Sequence, residues 1–322
     1  MRMRFLVAAF LVATAFTVAP IGVRAAPSQI VVFGDSLSDT GNVFAASGGV
    51  TPVPEYFNGR FSNGPNWVER LAGAFGLPVV PSALGGTNNA FGGATTGGSG
   101  GSVPSLLDQF AGYSAAHASA DASALYVVWG GGNDMRDALL APATIPTAIT
   151  AAVANLQSIL TGLNAKGAQR FLVPNLPNLG LIPEVSALGA AAVAGATSTS
   201  AGFNASLAAM LAGLAADPTF TGEIVPLDVF GILNNIVANP AAFGLTNVVD
   251  QCYSLDPQTT GGTICASPDN YLFWDGIHPT ARGHFILGNF AIQAVPEPAT
   301  ILIFVIGLLG LAMAARRTAA RV

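Results

Sequence analysis

Short apolar runs alternate along this chain with longer stretches in which apolar residues return every three or four positions. Gln29 to Phe33 is β-branched and apolar on both faces, as a strand covered by helices on either side should be. Ala124 to Gly130, Arg170 to Pro177 and Gly222 to Asp228 repeat that pattern, and Leu77 to Ser82 is a weaker candidate. Between them the spacing is helical. Trp67, Leu71 and Phe75 share one face of "GPNWVERLAGAFG", and the Ala-rich "IPTAITAAVANLQSILTGLNAKG" and "TSTSAGFNASLAAMLAGLAAD" predict two further helices. A last helix, "PTARGHFILGNFAIQA", is expected to begin with proline in its first turn. Strands separated by helices predict an α/β fold, a central parallel sheet with a helical layer on each side. In such sheets ligands gather at the carboxyl ends of the strands. Ser82 to Ser105 breaks the alternation with glycine and small polar residues, and a loop of that length in a compact domain is usually functional or mobile.

The two ends follow other rules. Residues 1–25 run from arginines through an apolar stretch to small residues before a cut after Ala25, the order of a secretory signal peptide. Its apolar run, Phe5 to Ala19, is shorter than the ~20 residues that a membrane span needs. Residues 295–322 open on Val295-Pro296-Glu297-Pro298, continue as an uncharged apolar segment over 299–315, and close on Arg316, Arg317 and Arg321. That segment can span a membrane with its basic end in the cytoplasm. A surface helix of a soluble core would need a polar face, and no residue of 299–315 is charged. The tail resembles the PEP-CTERM sorting signal of Gram-negative bacteria. The resemblance implies export, transient anchoring, and cleavage near Pro296 to Pro298 by a membrane-embedded, exosortase-type protease, with signal peptidase acting at the other end. The final place is then the periplasm and cell envelope or the extracellular matrix.

Removing the ends changes the charge of what is left. Residues 26–294 keep six of the 12 basic residues and all but one of the 17 acidic ones, and so acidic a body argues against a nucleic-acid partner. Its two cysteines, Cys252 and Cys265, close a short loop, and in an exported chain that favours a disulfide. A metal site is the weaker reading, because no histidine or further cysteine completes a zinc set.

Candidate chemistry starts from "IVVFGDSLSDTGN", where a buried strand runs into a polar turn carrying Ser36. The chain holds three histidines, so few could serve a nucleophile as base. His278 has Asp275 three positions before it in "WDGIHPT", a spacing that lets the carboxylate hold Nδ1 while Nε2 points outward. His284 is expected to be a surface or packing residue and His117 an exposed loop residue. If "DGIH" lies at the sheet edge where Ser36 ends its strand, hydroxyl, imidazole and carboxylate make a nucleophile, a base and an orienter. Donors for a developing oxyanion are available from the Asn133 side chain in "GGGNDMRD" and from the Gly92 and Gly93 amides in "NNAFGGATT".

Four blocks in this order, "FGDSLSDTGN", "NNAFGGATT", "GGND" and "WDGIHPT", are similar to those of SGNH hydrolases of the GDSL lipase/esterase family. "GRFSNGPNWVERLA" and "VPNLPNLGLIP" extend the likeness over nearly the whole body. The resemblance implies a flavodoxin-like three-layer α/β/α sandwich and no cofactor or metal. It also implies catalysis by Ser36, His278 and Asp275, with an oxyanion hole of Ser36, Gly93 and Asn133; Gly92 stays open as the alternative to Gly93. "GGSGG", Gly97 to Gly101, matches a G-x-S-x-G elbow around Ser99, but that pattern needs a strand before it and a helix after it. Asp35 is expected to be structural, its carboxylate bonding loop amides. The expected activity is that of a secreted or surface serine esterase or lipase. The ester is a lipid or an acetylated glycan, and the alternatives are an exopolysaccharide deacetylase or a non-catalytic matrix protein that keeps the shape.

Overall fold

The computed structural model describes residues 25–98 and 103–295, so the signal-peptide and tail expectations and Ser99 fall outside the described residues. Four strands, Ile30–Gly34 (β1), Leu125–Trp129 (β2), Arg170–Pro174 (β3) and Glu223–Leu227 (β4), form one sheet in the order β1-β2-β3-β4. Every pairing in it is parallel. A second sheet joins the short strands Asn247–Gln251 (β5) and Tyr271–Phe273 (β6). The helices are Asn42–Ala46 (α1), Trp67–Ala74 (α2), Leu106–Ala116 (α3), Gly132–Leu139 (α4), Ile145–Ala165 (α5), Pro183–Ser186 (α6), Ala190–Ala216 (α7), Val229–Ala238 (α8) and Ala281–Ala294 (α9).

Alternation along the strands sorts the core into two layers. Val31, Phe33, Tyr126, Val128, Phe171 and Val173 face α3, α5 and α7, within one apolar cluster. Ile30, Val32, Leu125, Val127 and Leu172 face the other way, with Trp67, Val68 and Leu71 of α2 and Leu287 and Ala291 of α9. This is the expected three-layer sandwich. Residues 142–165 and Ala190–Ala216 are long and apolar enough to cross a membrane by composition. Both helices lay a buried face, Leu156, Ile159 and Leu160 on one and Phe203 and Leu207 on the other, against the sheet. Core packing accounts for their apolar character.

Three expectations need correction. Leu77 to Ser82 forms no strand, because Pro78 and Pro81 remove two of the donors a ladder needs. The segment running beside the open edge of β1 comes instead from the glycine-rich tract: Val32 N donates to Thr87 O at 3.0 Å, Asn89 N to Val32 O at 2.8 Å and Phe91 N to Gly34 O at 3.1 Å. The last helix begins at Ala281, with Thr280 as its cap accepting from Gly283 N, so Pro279 precedes the helix and Asp275 is free of capping. The third concerns α7, which starts at Ala190, well before Thr197.

Candidate active site

Each candidate group is carried by a different element, and the carboxyl edge of the sheet is where they meet. The end of β1 is clamped from α3: Gly34 N donates to Gln109 Oε1 at 3.0 Å, and Gln109 Nε2 donates back to Gly34 O at 2.8 Å. The chain then turns tightly, with Ser38 N and Asp39 N both donating to Asp35 O. Ser36 sits half-buried on this turn. The buried Asp35 carboxylate accepts from Leu37 N at 3.0 Å, in line with a structural role. Burial pushes its carboxyl up to about 6, against the lowering effect of that amide.

The opposite wall follows β6. Trp274 N donates to His278 O at 2.7 Å and closes a short loop that presents Asp275 and His278. His278 Nε2 lies 2.8 Å from Ser36 Oγ, and Nδ1 lies 2.7 Å from Asp275 Oδ2. A carboxylate can only accept, so Nδ1 carries the proton and Nε2 is left to accept from the serine. Asp275 Oδ1 accepts from the amides of Ile277 at 2.8 Å and His278 at 2.7 Å. Burial alone would push the Asp275 carboxyl up; the His278 ring, the Tyr56 hydroxyl and the His278 amide outweigh it and hold it below the usual carboxylate range.

Tyr56 is the site residue that sequence reasoning missed. Its hydroxyl donates to Asp275 Oδ2 at 2.7 Å across 219 positions of chain, so no local pattern could have signalled it. Burial first, then the Asp275 charge, raises its own pKa, which keeps the hydroxyl protonated as a donor. Tyr56 packs edge-on against Tyr253 and Trp274, which stack on each other. With Val53 and Cys252 they make a small core of their own beneath Asp275. Cys252 and Cys265 are disulfide-bonded as expected, and the bridge brackets Tyr253 within this cluster.

The glycine segment is joined to the serine turn by Asp39. Its buried carboxylate accepts from the amides of Gly41, Asn42 and Gly92 at 2.7, 2.6 and 2.9 Å. Gly92 N–H is thereby occupied, and its missing side chain makes room for the Phe61 ring, which a Cβ would meet at 2.2 Å. The N–H groups of Gly93 and Ser36, by contrast, have no protein acceptor among the described residues. Gly93 has φ +82°, so the left-handed backbone there favours glycine although a Cβ would meet nothing. Asn133, in the first turn of α4, donates one amide proton to Ala94 O at 2.9 Å and keeps the second. Arg136 reaches its Oδ1 at 3.4 Å while forking onto Glu184 at 2.9 Å. Asp134 beside it accepts from Thr96 N and Oγ1, tying α4 to the glycine segment.

The other two histidines stay outside this arrangement. His284 is buried, and its Nδ1 accepts from Trp67 N at 3.3 Å. Burial, helped by the His278 charge, lowers its pKa to about 3, so it packs as a neutral ring. His117 is exposed at the end of α3, stacked on Tyr113.

Two cavities meet at Ser36. An open cleft of about 930 Å³ is bordered by Gly93, Asn133, His278, Glu184, Asp256 and Gln258. A smaller cavity of about 90 Å³ shares Ser36 and Asn133 with it and is otherwise lined by Leu176, Val229, Ile232, Ile236, Leu272 and Leu287 among others.

A doubly covered parallel sheet that lines up hydroxyl, imidazole and carboxylate at its carboxyl edge has the architecture of a serine hydrolase. Residues 30–290 match the family described as GDSL-like Lipase/Acylhydrolase, and the chain belongs to that family of ester hydrolases. Among curated relatives it is 27% identical to Lipase 1 of Photorhabdus luminescens, over 90% of this chain and 53% of that protein. It is 29% identical to the phosphatidylcholine-sterol acyltransferase of Aeromonas hydrophila, over 90% of this chain and 94% of the relative. The chain thus spans about half the length of some of the curated relatives it matches, Lipase 1 included. A solved acetylxylan esterase from Geobacillus stearothermophilus superposes with a TM-score of 0.47 at 14% identity, covering 84% of this chain and 95% of the other. Residues 294–317 match the PEP-CTERM protein-sorting motif, which implies export and membrane anchoring in a Gram-negative bacterium.

Proposed function

We propose that this chain is an exported serine esterase that hydrolyses carboxylic esters through an acyl-enzyme on Ser36. The observation that carries this is the unbroken relay from Ser36 Oγ through His278 to Asp275, at 2.8 and 2.7 Å. His278 Nε2 takes the hydroxyl proton as Oγ attacks the ester carbonyl, and Asp275 balances the imidazolium that forms. The tetrahedral oxyanion rests on the amides of Ser36 and Gly93 and on the free amide proton of Asn133. His278 then protonates the departing alcohol, and a water deprotonated by the same nitrogen releases the acid. Tyr56 acts through Asp275 as a positioning residue. Gly93 rather than Gly92 is assigned to the oxyanion hole, because Asp39 already holds the Gly92 amide.

We further assign residues 1–25 to a signal peptide removed by signal peptidase, 26–294 to the hydrolase domain and 295–322 to the sorting tail. Processing of that tail by an exosortase-type protease would leave the enzyme in the cell envelope or the surrounding matrix. Measuring hydrolysis of a chromogenic ester by Ser36→Ala tests the reading: the variant should fold as the parent does and lose about 10⁴-fold or more of kcat. Full activity would remove Ser36 from the reaction.

A further inference from the structure

The two cavities at Ser36 differ in a way that assigns them to the two halves of an ester. The alcohol must leave beside His278 Nε2, which gives it a proton, and His278 lines the open cleft. The smaller cavity includes Ser36 and Asn133 in its wall but, among the described residues, not His278. Whatever enters it is attached to the carbonyl carbon on the side away from the leaving group.

Its surroundings are almost wholly apolar. α8 contributes Val229, Ile232, Leu233 and Ile236, and the charged residues in its wall are Asp35 and Arg136. Asp35 is next to Ser36 in the chain and Arg136 lines the open cleft as well, so both charges belong to the end where the cavities join. α8, β6 and α9 supply much of the smaller cavity's wall. Apolar cavities of this kind stay dry and take apolar guests.

We propose that this cavity is an acyl-chain site, and that the substrates are esters of medium-chain fatty acids. The inference rests on the Ser36 reading given above. On the scale where one water needs about 10–15 Å³, the 90 Å³ of the cavity is room for on the order of six chain carbons. Each methylene buried there contributes up to about fourfold in binding. The alcohol half faces the open cleft, whose wall mixes Glu184, Asp256 and Gln258 with Phe61, Phe91 and Val103. An acetyl ester would leave the cavity empty.

The test uses the full chain and a series of ethyl p-nitrophenyl alkylphosphonates with ethyl, hexyl and decyl chains. Ser36 Oγ bonds to phosphorus, p-nitrophenolate leaves with the electron pair of the broken bond, and His278 holds the serine proton. The expected result is labelling of Ser36 that is at least tenfold faster for hexyl than for ethyl. Ile232→Trp, which fills the cavity, should bring that ratio to within about threefold. If Ile232→Trp does not fold, the wild-type series decides alone, and Ile236→Phe gives a smaller filling of the same space. Labelling of Ser36 at equal rates by all three chains, or a chain preference untouched by a folded Ile232→Trp, would overturn the acyl site and leave the esterase reading standing. No labelling of Ser36 by any member would overturn both.

Discussion

The two walls of the site are supported by different kinds of structure. Ser36 leaves β1, an edge strand whose five residues are all buried between the two packed faces of the main sheet. Asp275 and His278 follow a strand of three residues and rest on a satellite cluster of Val53, Tyr56, Cys252, Tyr253 and Trp274. The first wall grows directly out of the main core. The second joins the main core through Leu272 and Phe273 of β6, and it adds a disulfide and long-range hydrogen bonds, from Tyr56 to Asp275 and from Glu184 N to Gly276 O among them. Ser36 is thus held by the main sheet, while Asp275 and His278 draw on the satellite cluster as well.

Removing the reacting groups has the largest expected effect and probes both walls together. His278→Ala should lose about 10⁴-fold or more of kcat, and the Ser36→Ala/His278→Ala double variant should be no worse than either single change, because the two act as a unit. Multiplied losses in ester hydrolysis would mean that they act separately. Asn133→Ala, on the nucleophile's side, should cost on the order of 10² to 10³ in kcat with its thermal midpoint little moved. An unchanged rate would take Asn133 out of the oxyanion hole.

The disulfide distinguishes the walls. Replacing both Cys252 and Cys265 with serine frees a loop of sequence separation 13, worth about 3 kcal/mol on the chain-entropy account. If the second wall opens locally, activity should be lost on heating several degrees before the circular-dichroism transition of the whole domain. Coincident midpoints would show a single cooperative unit and would break the contrast drawn above.

Tyr56→Phe is expected to have the smallest effect, about tenfold in kcat/KM, from loss of one hydrogen bond to a charged group. Its signature is pH dependence. The depressed Asp275 carboxyl contributes stability that is present above the ordinary pKa of about 4 and is lost as pH falls below it. Without the Tyr56 donor the carboxyl titrates closer to its ordinary value, so the variant has less stability to lose on acidification and its deficit against the parent should shrink as pH falls. A deficit in denaturant midpoints that stays constant across the acid range would show that Tyr56 merely packs.

The strands and blocks could be read in advance because they are written in adjacent residues. A run such as "IVVF" reports burial on both faces, and the Asp275 to His278 spacing reports one loop. Leu77 to Ser82 misled because its apolar content outweighed two prolines, and the segment that does flank β1 is hidden among glycines, with Thr87, Asn89 and Phe91 bonding to a strand more than 50 positions away. α8 and the second sheet went unread, and with them much of the wall of the apolar cavity beside Ser36.

The four main strands, the serine turn and the aspartate–histidine loop therefore follow from local pattern alone. Which glycine keeps a free amide was settled by Asp39, 53 positions from Gly92. Tyr56 became a partner of Asp275, and an apolar space opened beside Ser36, only once distant segments had packed. Hydrogen-bond partners and empty volume are properties of surfaces brought together from far along the chain, and no stretch of sequence holds both sides of either.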